Sequence, residues 1–358
     1  MTGTTGIYKT FGGASADYAY SVTQTADGGY AMFGTKGSSM WALKTDSAGN
    51  VTWDKTYFPS SSARCGKKTQ DGGYVMAGYK LNPVPGTQNV IIVKVDSSGD
   101  CVWAKEYGGD IGGGAGVDYA FSIDPTNDGG YIVAGATECM GLGGLDEYVI
   151  KVDAAGDCVW AKTYGTATDD KAYCVEQTQD GGYIVSGENN AITMRKLNSD
   201  GTQAWYVRHG SGSVTFGKSV RQTADGGYIV SGALDSGSDE QAYLMKTTSL
   251  GAMSWWRTFG DNTHGDDWSY AEQTPDNGYI MTGWTSSYMD EMLVVQKTDS
   301  AGNSTWVKLF DTGNLYGEVG TAIHRTSDGG YILSGYNTLY GVGDALMIKI
   351  DSAGNQLW

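Results

Sequence analysis

One short signature, Thr-x-Asp-[Gly/Asn]-Gly-Tyr, occurs seven times in this chain of 358 residues. It begins at Thr25, Thr69, Thr126, Thr178, Thr223, Thr274 and Thr326, and successive copies lie 44 to 57 residues apart. The sixth copy reads Thr-Pro-Asp-Asn-Gly-Tyr and the others keep Asp-Gly-Gly-Tyr. Such a recurrence restricts the chain to a repeat architecture, in which each unit buries its apolar face only against its neighbours.

A second motif, Lys-x-[Asp/Asn/Thr]-x-x-Gly-x-x-x-Trp, follows each copy. Its lysines are Lys44, Lys94, Lys151, Lys196, Lys246, Lys297 and Lys349. Its tryptophans are Trp53, Trp103, Trp160, Trp205, Trp255, Trp306 and Trp358. The stretches between the motifs are β-rich, as in Tyr131–Gly135 and Tyr148–Val152. Each repeat reads as four short strands, a to d, with the first motif at the a–b turn and the second at the c–d turn. Glycine supplies the positive φ that such turns require. The 55 glycines and 5 prolines, with 35 tyrosines and tryptophans, fit short strands joined by tight turns.

Four-stranded units at this period, without helical segments, predict an all-β, seven-bladed β-propeller. One domain covers residues 1–358, with blades near 13–58, 59–108, 109–165, 166–210, 211–260, 261–311 and 312–358 plus 6–12. Ile7–Gly12 reads like the d strand Trp160–Gly165, whereas the C-terminus stops at Trp358, just inside its own d strand. The N-terminal strand is therefore expected in the last blade, against strand c around Asp344–Asp351, which removes two exposed edges. Ile7 and Trp358 then compete for one docking position.

The c–d motif resembles the tryptophan-docking repeat of pyrroloquinoline-quinone dehydrogenases and of related outer-membrane assembly propellers. The two motifs together are most similar to the DGGY-repeat propellers of bacterial and archaeal surface proteins, over roughly residues 6 to 358. That resemblance implies a propeller with an extracellular address and no particular reaction. Quinoprotein dehydrogenases have eight blades, space the docking aspartate and glycine differently, and often carry a vicinal disulfide; no Cys-Cys pair occurs here. The motif also resembles the sialidase Asp-box, but Asp46 to Gly49 is one residue too long.

The net charge of −16 disfavours nucleic acid and anionic membranes. No stretch approaches eighteen apolar residues, so no membrane insertion is expected, and Met1–Thr5 does not read as a signal peptide. The address expected from the resemblance is secreted or cell-surface, and the chain is expected to be a monomer. Cys65, Cys101, Cys139, Cys158 and Cys174 form no CxxC pair, and their repeat positions predict no intramolecular disulfide.

Repetition separates structural residues from functional ones. A residue present in every blade serves the blade. The docking tryptophans are therefore structural, and the lysines are expected to hydrogen-bond near the c–d turn with their stems over apolar surface. The d–a and b–c connections vary in length and share one face, the top, where binding is expected. Asp17, Asp118, Asp170, Asp266 and Glu318 recur ten positions before the turn aspartate, with Ser61 and Thr215 in the other blades. They read either as caps of their own backbone turns or as a ring for calcium. Otherwise no cofactor is expected.

Blade six breaks the pattern most. Counted from its turn, Trp268 stands where other blades have Ala19, Ala63, Ala120, Ala172, Gly217 and Gly320; a one-residue deletion would instead align it with Tyr18. Trp268, Trp284, Tyr288, Tyr316, Tyr336 and Tyr340, with His264 and Asp266, form the candidate ligand site, at the top of the channel between blades six and seven. The alternative is ordinary packing between blades. His209, His264 and His324 lie in different blades, and no hydrolase, nucleotide or zinc-protease motif is present. The expected function is a non-catalytic binding or scaffold module whose partner is a carbohydrate or another protein. The alternative is a carbohydrate-active enzyme, a glycoside hydrolase or lyase using top-face carboxylates.

Overall fold

In the computed structural model, seven antiparallel sheets are arranged in sequence order, each built from one repeat. The structure describes residues 4–5, 8–84, 86–108, 116–210, 214–235, 240–260, 265–287, 290–311, 317–337 and 343–358. In blade one, strand a is Asp17–Gln24, b is Tyr30–Lys36, c is Ser39–Thr45 and d is Val51–Pro59. Strands b and c are almost wholly buried, and d shows an exposed edge, so the core lies between blades. The protein is a seven-bladed β-propeller.

Strand a carries the same β-bulge in every blade. In blade three the register shifts between Ala120 and Ser122, leaving Phe121 unpaired. Opposite the bulge, strand b always has glycine. A Cβ on Gly135 would sit 1.7 Å from the Tyr119 carbonyl oxygen. The bulge turns its extra residue towards the axis.

The docking tryptophans join neighbouring blades. Trp103 in strand d of blade three's predecessor donates from Nε1 to the Ala154 carbonyl, 3.2 Å away in the next c–d turn. A Cβ on Gly156 in that turn would lie 2.8 Å from the Trp103 ring. The lysines depart from expectation. Lys151 Nζ reaches the a–b turn of its own blade, pairing with Asp128 at 2.8 Å and donating to the Val152 carbonyl at 3.0 Å. Both turns lie on the bottom face, and a stem crossing strand b's end reaches the aspartate directly. Each of the seven lysines pairs with the turn aspartate of its own blade, and all but Lys44 are shown donating to the following carbonyl as well.

The ring closes as the repeat pattern requires. Lys9–Phe11 pairs antiparallel with strand c of the last blade, Ala345–Ile350, through Lys9↔Met347, Thr10↔Leu346 and Phe11↔Ala345. The Trp358 ring lies 3.1 Å from a Cβ position on Gly49 in blade one, so Trp358 occupies the last docking position. Ile7 is outside the described residues. The last d strand is thus composite, begun by the C-terminus and continued by the N-terminus. Thr4–Thr5 adds a fifth, parallel strand to blade six, a pairing the repeats do not announce.

Candidate functional site

The inner strands surround a cavity of about 380 Å³ on the channel axis. Two rings of side chains build its wall. The upper ring is the bulged residue, seven positions before the turn aspartate: Tyr20, Arg64, Phe121, Tyr173, Lys218, Ser269 and Thr321. The lower ring, four positions before it, is Thr23, Lys67, Asp124, Glu176, Arg221, Glu272 and His324, of which Lys67, Arg221 and His324 reach the cavity. Strand a alternates its faces, so these positions point to the axis while Ala19 and Val22 and their equivalents enter the core.

The lower ring is a network of charges. His324 Nδ1 lies 3.1 Å from Glu272 Oε2 and 3.3 Å from the Tyr270 hydroxyl. Burial holds the His324 ring below its ordinary pKa, against the pull of the Glu272 hydrogen bond. Burial raises the Glu272 carboxyl, but the His324 contact and the Arg325 backbone N–H outweigh it and hold it low. Arg221 donates from Nε to Tyr270 and from Nη1 to Cys174 Sγ and the Val220 carbonyl. Burial pushes the carboxyls of Asp124 and Glu176 up, against the attraction of Lys67 and Arg221. Both also accept a backbone N–H from the next blade, Gln177 at 3.2 Å and Gln222 at 2.6 Å. The floor therefore ties blades together as well as lining the cavity.

The upper ring is aromatic and basic. Arg64 lies over Tyr20 at 4.6 Å and over Tyr79 at 5.4 Å. Phe121 and Tyr173 have ring centroids 5.2 Å apart. Lys218 pairs with Asp267. Trp284 and Tyr336, equivalent positions on strands b of blades six and seven, complete the wall near the top. Both are half-buried. Tyr336 also meets Tyr18 edge-on, 5.0 Å between centroids.

The predicted site residues thus divide. Trp284 and Tyr336 reach the cavity. Trp268 does not: it is 3% exposed and packs with Leu244, Met281 and Val294 between blades five and six. Its pairing with Gly283 matches that of Ala19 with Gly34, so no deletion shifts the register. Room comes from Ala242, where blades one, two and six have Met40, Val90 and Leu293. Packing, rather than ligand contact, is the role of Trp268. Asp266 is also buried. His264, Tyr288, Tyr316 and Tyr340 lie outside the described residues.

The carboxylates at the start of strand a act locally. Asp17 accepts the Gly13 N–H at 2.6 Å and the Gly37 N–H at 2.7 Å. Asp170 accepts from the Thr166 N–H at 2.8 Å and from the Thr166 hydroxyl at 3.0 Å, and also takes the Asn189 side-chain amide. Asp118 receives the Cys139 thiol at 3.6 Å. Asp17 and Asp170 cap the loops that lead into strand a. Among the described residues, no three His, Cys, Asp or Glu side chains gather as a metal cluster.

Among the described residues no disulfide joins the five cysteines. Cys65 and Cys174 stand where other blades have Ser21, Ser122 and Ser219, whose hydroxyls accept an N–H from the next blade. Their thiols donate instead to the Ile123 and Val220 carbonyls, each at 3.7 Å. Repeat counting did not single out the two channel rings. Their signal was present as two fixed distances from the turn at which aromatic, basic, acidic and hydroxyl side chains alternate among the blades.

No family model and no curated protein matches the chain. Among solved structures it is similar to the Pan2 WD40 domain of Neurospora crassa, with 11% identity and a TM-score of 0.59 over 94% of this chain and 96% of that one. It is similar also to a virginiamycin B lyase from Staphylococcus aureus, with 11% identity and a TM-score of 0.57 over 95% and 98%. A streptogramin B lyase matches at 13% identity and a TM-score of 0.56, over 96% and 98%. At these identities the likeness is one of fold.

Proposed function

We propose that the chain is a non-catalytic binding propeller, a DGGY-repeat module of a secreted or cell-surface protein, which receives its ligand from the top face into the channel. The observation that carries this reading is a contrast within one strand. The bottom of every blade repeats the same latch, whereas the channel wall mixes aromatic, basic and hydroxyl side chains around the ring and encloses a cavity of about 380 Å³. A cavity of this size, mostly apolar with a few convergent polar groups, has the form of a small-ligand site. A carbohydrate suits it, because Trp284 and Tyr336 offer ring faces for stacking. Of the top-face carboxylates that an enzyme would use, Asp17 and Asp170 already hold their own loops.

The test is a glycan array and a polysaccharide-cleavage assay on the full chain and on Trp284→Ala. The expected result is binding without cleavage, lost in Trp284→Ala at a nearly unchanged melting temperature. Cleavage, or binding retained in a destabilised Trp284→Ala, overturns the reading.

A further inference from the structure

The chain is acidic, with a net charge of −16, but its cavity is not. Among the described residues that line it, Arg64, Lys67, Lys218 and Arg221 face one carboxylate, Asp267, while Asp124, Glu176 and Glu272 of the lower ring lie beneath the cavity. Two of these cations are committed. Lys218 is paired with Asp267, and Arg221 holds Tyr270, Cys174 and a backbone carbonyl. Lys67 attracts Asp124 and Glu176 at a distance. Arg64 is different. It has no carboxylate within 4.0 Å among the described residues, and its buried Nε donates to none of their atoms. The Tyr20 and Tyr79 rings hold its guanidinium in place, so its planar fork of donors is fixed before any ligand arrives. Such a fork matches a carboxylate with two parallel hydrogen bonds.

We propose that the channel binds a small ring-bearing carboxylic acid, its carboxylate on Arg64 and its ring among Tyr20, Tyr336 and Trp284. This rests on the reading of the chain as a binding propeller and adds the class of ligand. The cavity volume sets the size at one or two rings. The low dielectric of a channel walled by aromatics strengthens the ion pair relative to one at the surface. Lys67, below Arg64 on the same strand, adds attraction without direct contact.

Isothermal titration of the whole chain with D-glucuronate, benzoate and D-glucose tests the idea. At least one acid is expected to bind saturably, and glucose not to bind. Arg64→Met is expected to weaken the acid at least about tenfold, which a lost charge-assisted pair of hydrogen bonds accounts for. Arg64→Lys restores part of the loss, because charge returns without the fork. Lys67→Met, which leaves the tyrosine stack intact, weakens binding by about threefold, and binding falls as salt rises. Thermal melts of each variant check folding; if Arg64→Met does not fold, Lys67→Met and the salt series decide. Glucose binding as tightly as glucuronate, neither acid binding, or an unchanged affinity in folded Arg64→Met overturns the proposal. A neutral glycan captured on the array through Trp284 would sink the acid specificity and leave the binding reading standing.

Discussion

The two ends of each inner strand follow opposite rules. At the bottom, seven blades repeat one arrangement: threonine and lysine converge on the turn aspartate, and the glycine two residues on donates its N–H to it. A few residues earlier, on the axis, the chemistry changes around the ring: aromatic Tyr20, Phe121 and Tyr173, basic Arg64 and Lys218, and hydroxylic Ser269 and Thr321 occupy one equivalent position. The turn must be satisfied within every blade, since the lysine amine is buried and needs its partner. The channel position needs only to fit the gap left by six others. Repetition therefore marks what holds a blade, and variation marks what the ring is free to use.

The comparison breaks first at ring closure. Deleting residues 1–12 removes Lys9–Phe11 and the buried Phe11, and bares the edge of Ala345–Ile350. Loss of one buried phenylalanine alone costs about 3 kcal/mol, so urea denaturation should show at least that loss, with aggregation through the open edge. Unchanged stability would mean that the composite blade does not hold the ring.

A matched pair of substitutions sharpens the contrast. Lys151→Met strips Asp128 and the Val152 carbonyl of a donor, and should cost about 1–2 kcal/mol. Arg64→Met in the channel should cost under about 0.5 kcal/mol in the absence of ligand. Equal losses would show that the channel wall is as structural as the latch.

Acid offers a collective version. The Lys44 hydrogen bond holds Asp27 at about 2. In Asp71, Asp128, Asp180, Asp225, Asp276 and Asp328, partial burial pulls upward, but the threonine and lysine hydrogen bonds outweigh it and leave each at about 2. An aspartate lowered on folding stabilises fully above its unfolded value, about 4, and loses that contribution as pH falls through its folded value. Stability measured by denaturant should therefore fall steeply between about pH 4 and 2, and Asp128→Asn should make that slope shallower by about one proton. A slope unchanged in Asp128→Asn would remove the latches as its cause.

The smallest effect belongs to the exposed thiols. Cys101→Ser with Cys158→Ser should change stability by less than about 0.5 kcal/mol. Thiol titration of unreduced, unfolded chain should find five per monomer; fewer would reveal a disulfide.

Much of the fold was legible because it is local. Asp-Gly-Gly turns, strand alternation and the spare N-terminal strand each lie within a few residues of one another. Less of the site was legible. Trp284 and Tyr336 stood out as aromatics in variable regions, and the structure brings both to the cavity. Trp268 stood out on the same grounds and proved to be packing, because its meaning depends on Ala242 in another blade. Arg64 drew no attention as a single basic residue in blade two.

What the sequence determined by itself is the blade: its four strands, its turns, their number and the strand that closes the ring. These follow from hydrogen bonding and backbone conformation over short distances, and seven copies repeat the message. What only the tertiary structure decided is which side chains meet. The lysines choose the a–b aspartate because both turns share the bottom face. Trp358 takes the last docking position because the chain's end lies against blade one. The channel's cations gather because ring closure brings blades two and five to one axis, and no local rule relates the side chains of different blades.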